Sequence, residues 1–135
     1  MAERSDQPDY RQWLAFAERD MRAAKELKDA AEGHTEAVVY WAQQAAEKAL
    51  KALLVFEGSL VPRTHDLAVL RALSRAYAEH GPDRVDLALL TRQAAGSRYP
   101  DMHVPLDDTD ARRALMLAET IIADIGRIIA EKEAS

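Results

Sequence analysis

Arg98 and His103 stand five residues apart in the segment Ser97-Arg98-Tyr99-Pro100-Asp101-Met102-His103. A guanidinium that stays charged at every ordinary pH there shares one short stretch with a side chain that titrates near neutrality. That pairing suits phosphodiester cleavage. An imidazole can take the proton of a ribose 2′-hydroxyl or protonate a leaving oxygen, and a guanidinium can stabilise charge developing on the phosphate. The chemistry requires no metal and no cofactor. Pro100 and Pro105 forbid a continuous helix through the segment, because proline lacks an N–H and biases the preceding residue toward extended geometry. The ionisable groups are therefore presented from a turn.

The same residues also have a structural reading, in which Arg98 ties the turn to Asp101 or to a helix end and the Tyr99 ring packs beside Pro100. The Arg-x4-His spacing recurs at Arg75 and His80, just before Gly81-Pro82. Basic side chains commonly sit at such a helix end to satisfy its terminal carbonyls.

The elements around the turn read as helices. From Asp9 to about Ala31, Tyr10, Trp13, Leu14, Ala17, Met21, Ala24, Leu27 and Ala31 fall at the spacing of three and four that makes one buried stripe, with Gly33 suited to the stop. From about Thr35 to Glu57, apolar residues cover more than half the circumference, which predicts a central helix capped by Thr35 and ended by Gly58. Thr64 suits the cap of a third helix carrying Leu67, Leu70, Leu73 and Tyr77. A short helix follows from about Asp83 to Ala95. The last runs from Asp107 to about Lys132 on a seam from Ala111 to Ile129, its start loaded with Asp107, Asp108 and Asp110. No alternating run of strand length and no repeat occurs. The expected fold is all-α, an up-and-down antiparallel four-helix-type bundle with an additional short helix, filling residues 1–135 as one domain.

On the predicted central helix, Gln43 and Gln44 followed by Glu47, Lys48 and Lys51 interrupt the apolar surface. Glu47 and Lys51 have the spacing of a surface ion pair, while at least one of the two glutamines points toward the interior, where an amide needs partners. A structural network is the expectation. His65-Asp66 opens the next helix, where Asp66 suits the helix dipole and His65 a cap.

At 135 residues the chain can bury a full core without staples, and its 48% apolar and 30% charged residues are ordinary for a soluble domain. With no cysteine, thiolate catalysis and Cys-type zinc sites are excluded. No apolar run approaches the ~18 residues of a membrane span, and the opening residues lack the apolar stretch of a secretory signal, so the expected location is cytoplasmic. The net charge of −5 opposes nonspecific attraction to a polyanion. Any contact with nucleic acid must be local.

Four stretches together resemble the HEPN domain family of prokaryotic helical proteins. They are Trp13 to Asp20, the run Gln43-Gln44-Ala45-Ala46-Glu47-Lys48-Ala49-Leu50-Lys51-Ala52-Leu53-Leu54, His65-Asp66-Leu67, and Arg98-Tyr99-Pro100-Asp101. The resemblance implies an antiparallel helical bundle, commonly a homodimer, often encoded beside a minimal nucleotidyltransferase as toxin and antitoxin. Many members are metal-independent ribonucleases whose Arg-x4-6-His motifs meet at a dimer cleft, which maps here onto Arg98 and His103. Active ribonuclease members usually have a small polar residue where Tyr99 stands, and members silenced by nucleotide transfer carry a tyrosine where Pro105 stands. The leading expectation is a toxin-like RNA-cleaving homodimer with Arg98 and His103 catalytic. Tyr99, Asp101, Gln44 and Lys48 are its supporting or nucleotide-binding residues. The alternative is a nonenzymatic module that binds a nucleotide or a nucleotidyltransferase partner.

Overall fold

The computed structural model describes residues 8–30, 34–96, 101 and 104–135. They form five helices: α1 (Tyr10–Asp29), α2 (Thr35–Phe56), α3 (Leu67–Leu73), α4 (Arg84–Gly96) and α5 (Asp108–Ala134), and no strand occurs among the described residues. Each long helix begins or ends where local chemistry predicts. Asp9 caps α1 in a capping box, its side chain accepting from the Gln12 N–H at 2.9 Å while the Gln12 side chain accepts from the Asp9 N–H. Gly58 takes φ +79° just after α2, a conformation that side chains with a Cβ rarely adopt.

Two sets of contacts fix the directions of the helices. At one end, Tyr10 packs edge-on against Phe56 with ring centroids 5.0 Å apart, and Arg11 pairs with Glu133 at 3.2 Å. At the other, Lys28 pairs with Asp108 at 2.9 Å. The start of α1 thus lies beside the ends of both α2 and α5, so α1 is antiparallel to each. Gly81, Pro82 and Asp86 line a groove with Arg112 and Thr120, and Gln93 bonds to Asp110 at 3.1 Å, so α4 is antiparallel to α5 as well. The result is an up-and-down arrangement of α1, α2, α4 and α5, with α3 as the added short helix.

The central helix of the bundle is α2, which packs against each of the other four. Its alanines 42, 45, 46, 49 and 52 are fully buried, and such small side chains let the neighbouring helices approach closely. Leu50, Leu53 and Leu54 join Met21, Leu67, Leu70, Leu87, Leu90, Ile121 and Ile125 in one contiguous apolar cluster. Burying each such leucine or isoleucine stabilises the fold by about 1.5–3 kcal/mol. The seam on α5 emerges as the periodicity requires, with Ala111, Ala114, Ala118, Ile121, Ile125 and Ile129 buried.

Three local expectations are corrected. The N-cap of α2 is His34, at φ −108° and ψ 14°, with no side-chain cap bond, so Thr35 lies inside the helix rather than capping it. Asp66, not Thr64, caps α3, accepting from the N–H groups of Ala68 at 3.0 Å and Val69 at 3.3 Å; Thr64 Oγ1 instead accepts from the Asp66 N–H. The third helix stops at Leu73 instead of reaching Tyr77. Glu57 takes the chain away from it, accepting from Ser74 Oγ at 3.0 Å and from the N–H groups of Arg75 and Ala76. Tyr77 is still buried, with its hydroxyl donating to Asp124 at 2.7 Å. Gly81, at φ +81°, passes so close to the Tyr77 ring that a Cβ there would lie 2.4 Å from it.

Candidate functional site

The polar residues of α2 gather where α2, the segment before α3 and α4 meet. Glu47 is buried, and its carboxylate accepts from Lys51 Nζ at 2.9 Å and from His65 Nδ1 at 3.0 and 3.1 Å. The spacing of four predicts this Glu47–Lys51 pair, but the expectation of a surface position is wrong. Both side chains are about a tenth exposed or less. Burying a carboxylate costs several kcal/mol unless it is paired and hydrogen-bonded, and the two donors meet that demand. A carboxylate can only accept, so Nδ1 of the neutral imidazole carries the proton and Nε2 keeps a free lone pair. The His65 side chain is 69% exposed while Glu47 beneath it is 6% exposed.

The backbone at His65 is equally constrained. Gln43 Nε2 donates to the His65 carbonyl at 2.7 Å, Thr91 Oγ1 of α4 donates to Gln43 Oε1 at 3.4 Å, and the Leu67 N–H donates to Thr91 Oγ1 at 3.2 Å. Of the paired glutamines, Gln43 makes the buried network, and Gln44 is half-buried on the same helix. One turn away, Lys48 pairs with the buried Asp20, which also receives Arg19 Nε at 3.1 Å. Lys48 thus serves α1–α2 packing. The Lys51 ammonium lies 5.8 Å from the Trp13 ring centre, and the buried Trp13 Nε1 has no hydrogen-bond partner among the described residues.

The proposed catalytic residues Arg98 and His103, and Tyr99 with them, lie outside the described residues, as do Ala31 and Gly33. Asp101 is exposed. The flanks of their segment are firmly held. Thr91 and Gln93 tie α4 to α2 and α5, while Asp107 and Asp110 form a capping box at the start of α5. The backbone N–H of Asp107 holds the Asp110 carboxyl below the usual carboxylate range, helped by Gln93. The other Arg-x4-His spacing has a structural role at its arginine: Arg75 Nη2 donates to the Glu57 carbonyl at 3.0 Å, satisfying the end of α2.

An open groove of about 710 Å³ lies between α4 and α5, lined by Asp86, Thr109, Arg112, Arg113 and Met116 among others. Its arginines are engaged with Asp108 at 3.1 Å and Asp110 at 3.6 Å. It holds no cluster of reactive groups comparable to that at Glu47. Among the described residues no group of three or more His, Asp or Glu side chains is arranged to hold a metal, and no helix is long and apolar enough to cross a membrane.

The sequence reading missed Asp20, Thr91 and the clamp at Glu57. Asp20 carried a signal: it lies three residues after Ala17 and four before Ala24, on the buried stripe of α1. An acid there requires a cation, and Lys48 supplies it.

Comparison with known proteins agrees with this architecture. The family model for the HEPN domain matches residues 10–128. The chain belongs to the HEPN domain family. Among solved structures, this HEPN protein is similar to ST0689, an archaeal HEPN homologue, at 28% identity and a TM-score of 0.71, over 91% of this chain and 99% of that one. It is also similar to TT1696 from Thermus thermophilus, at 28% identity and a TM-score of 0.75, over 87% of this chain and 96% of that one. No curated protein matches it.

Proposed function

We propose that this HEPN protein is a toxin-like, metal-independent RNA-cleaving component that acts as a homodimer. His103 serves as general acid/base on the ribose 2′-hydroxyl or the leaving oxygen, and Arg98 stabilises the charge that develops on the phosphate. Asp101 orients one of them. The observation that carries the reading is the anchoring on both sides of their segment. Thr91 and Gln93 fix the last turns of α4, and the Asp107–Asp110 box fixes the first turn of α5. Catalytic groups need rigid support, and these anchors fix the two described elements from which that segment departs. Dimerisation pairs two half-sites across a two-fold axis and concentrates their positive charge, offsetting the acidic total.

Incubation with a labelled RNA, with and without a chelator, tests the reading. Cleavage that resists the chelator and falls by about 10²–10⁴ in His103→Ala supports it. A His103→Ala protein that cleaves as fast as the parent overturns it, and a monomeric mass in sedimentation at micromolar concentration removes the dimer.

Tyr99, in the place of the small polar residue usual in active members, favours a second reading as a nonenzymatic module that binds a nucleotide or a nucleotidyltransferase partner. Heat on nucleotide titration without RNA cleavage distinguishes it.

A further inference from the structure

The residue whose presentation is least explained by stability is His65. Three buried polar side chains, Gln43, Glu47 and Lys51, are arranged below it or behind its backbone. Its carbonyl is held by Gln43, its ring by Glu47, and the following residues by the Asp66 cap and the Leu67–Thr91 bond. Yet 69% of the side chain faces solvent. An ion pair or hydrogen bond with so exposed a partner contributes little to stability, commonly under about 1 kcal/mol. Apolar side chains in place of Glu47 and Lys51 would fill the same space without the cost of burying charge. What the arrangement achieves is a solvent-facing imidazole of fixed orientation and fixed tautomer.

A carboxylate behind Nδ1 is the arrangement by which proteins make the outer imidazole nitrogen a directed acceptor. The surroundings narrow the ligand. Within the same two turns of α2 and the adjoining face of α1, Arg19, Lys48 and Lys51 stand against the two carboxylates Asp20 and Glu47. Arg63 and Asp66, flanking His65 in the chain, add one charge of each sign, so the local balance is cationic by a single charge on a chain of net charge −5. A hydroxyl-bearing polyanion fits both features.

Resting on the RNA reading above, we infer that His65 is an RNA-contacting residue separate from the Arg98–His103 pair, its Nε2 accepting a hydrogen bond from a ribose 2′-hydroxyl. Glu47 positions the ring, Lys51 pairs with the same carboxylate, and Gln43 with Thr91 fixes the backbone. The contact reads sugar identity, because a deoxyribose offers Nε2 no donor.

Two substitutions separate this role from a structural one. In His65→Asn the amide nitrogen occupies the place of Nδ1 and still donates to Glu47, while the outer acceptor is lost. In His65→Gln the amide reaches the place of Nε2 instead. Binding is read by fluorescence anisotropy with a labelled ribo-oligonucleotide and its deoxyribo counterpart. A His103→Ala background suppresses the cleavage assigned to that residue, and circular dichroism checks the fold of each protein. The expected result is a ribo-over-deoxyribo preference that His65→Asn reduces by about tenfold, the worth of one hydrogen bond, and that His65→Gln partly restores. Equal affinity for the two sugars, or an undiminished preference in folded His65→Asn, overturns the inference. Cleavage by the parent protein is scored separately. Sugar preference that depends on His65 in a protein that cuts no RNA sustains the contact and removes the cleavage reading. Cleavage with a preference indifferent to His65 does the reverse.

Discussion

The two ends of α3 are both fastened to α2 by a carboxylate, and the donors that reach the two carboxylates differ. At the far end, Glu57 collects Ser74 Oγ and the backbone N–H groups of Arg75 and Ala76. At the near end, Glu47 collects two side chains, Lys51 and His65. Backbone donors occur in any sequence and must be satisfied somewhere once water is excluded, so the Glu57 clamp answers a need of the fold itself. The donors at Glu47 are present only because those residue types are. A seven-residue helix needs tertiary anchors, since isolated helices of that length do not persist in water. The Glu57 anchor draws on backbone donors and a serine, whereas the Glu47 anchor costs buried charge and presents an imidazole.

The largest expected effect lies in that buried charge. Glu47→Ala leaves the Lys51 ammonium, 8% exposed, without its partner, and is expected to lower stability by about 3–5 kcal/mol in urea denaturation. The paired replacement Glu47→Leu with Lys51→Met removes both charges and should return to within about 1 kcal/mol of the parent. A single variant as stable as the double one would erase the distinction between the two ends of α3.

Glu57→Ala comes next. Ser74 is buried, and its hydroxyl together with two N–H groups would lose their acceptor, for an expected loss of about 2–3 kcal/mol in the same measurement. Glu57→Gln keeps one oxygen and should recover part of it. If Glu57→Ala costs more than Glu47→Ala, the backbone clamp is the dominant anchor of α3.

The helices themselves were readable because each long one has a 3.6-residue apolar period, and the seam of α5 needed nothing more than counting. The end of α3 was not readable. Leu67, Leu70, Leu73 and Tyr77 keep helical spacing, but the chain turns at Ser74 because Glu57, distant in sequence, offers better partners than another helical turn. The same limit applies to Glu47 and Lys51: their separation of four fixes their adjacency and leaves open which way they face. On a helix with as many buried alanines as α2, the apolar arc is too wide to show which polar residues lie inside it. Asp20 was recoverable, since it breaks an otherwise apolar stripe. Thr91 was not, because a threonine on a short amphipathic helix carries no mark of its partner.

A third set of carboxylates, at the start of α5, sharpens the comparison because its effect is electrostatic and smaller. The backbone N–H of Asp107 lowers the Asp110 pKa, and the Lys28 ammonium lowers that of Asp108. A carboxyl whose pKa is depressed in the folded state contributes stability above its unfolded value of about 3.9. That contribution is lost as the pH falls through the lower folded value. The parent should therefore lose stability steadily below about pH 4, and Asp110→Asn should lose less over the same interval. Asp107→Ala removes the cap itself, at about 1 kcal/mol near neutral pH. Denaturant midpoints at several acidic pH values separate the two effects, and parallel curves for the parent and Asp110→Asn would remove the electrostatic part.

The smallest expected change in stability belongs to His65→Asn, and its smallness is what distinguishes the two ends of α3. The amide still donates to Glu47, the Gln43 bond to the backbone carbonyl is untouched, and the lost part of the ring was in water. Its stability should stay within about 0.5 kcal/mol of the parent. Ser74→Ala, the matching removal of a side-chain donor at Glu57, deletes a buried hydroxyl and should cost about 1–2 kcal/mol. A His65→Asn protein destabilised as much as Ser74→Ala would mean that the imidazole is a clamp like the other one. A protein of unchanged stability would leave the ring without a part in holding the fold, so that its fixed orientation would have to serve whatever reaches it from solvent.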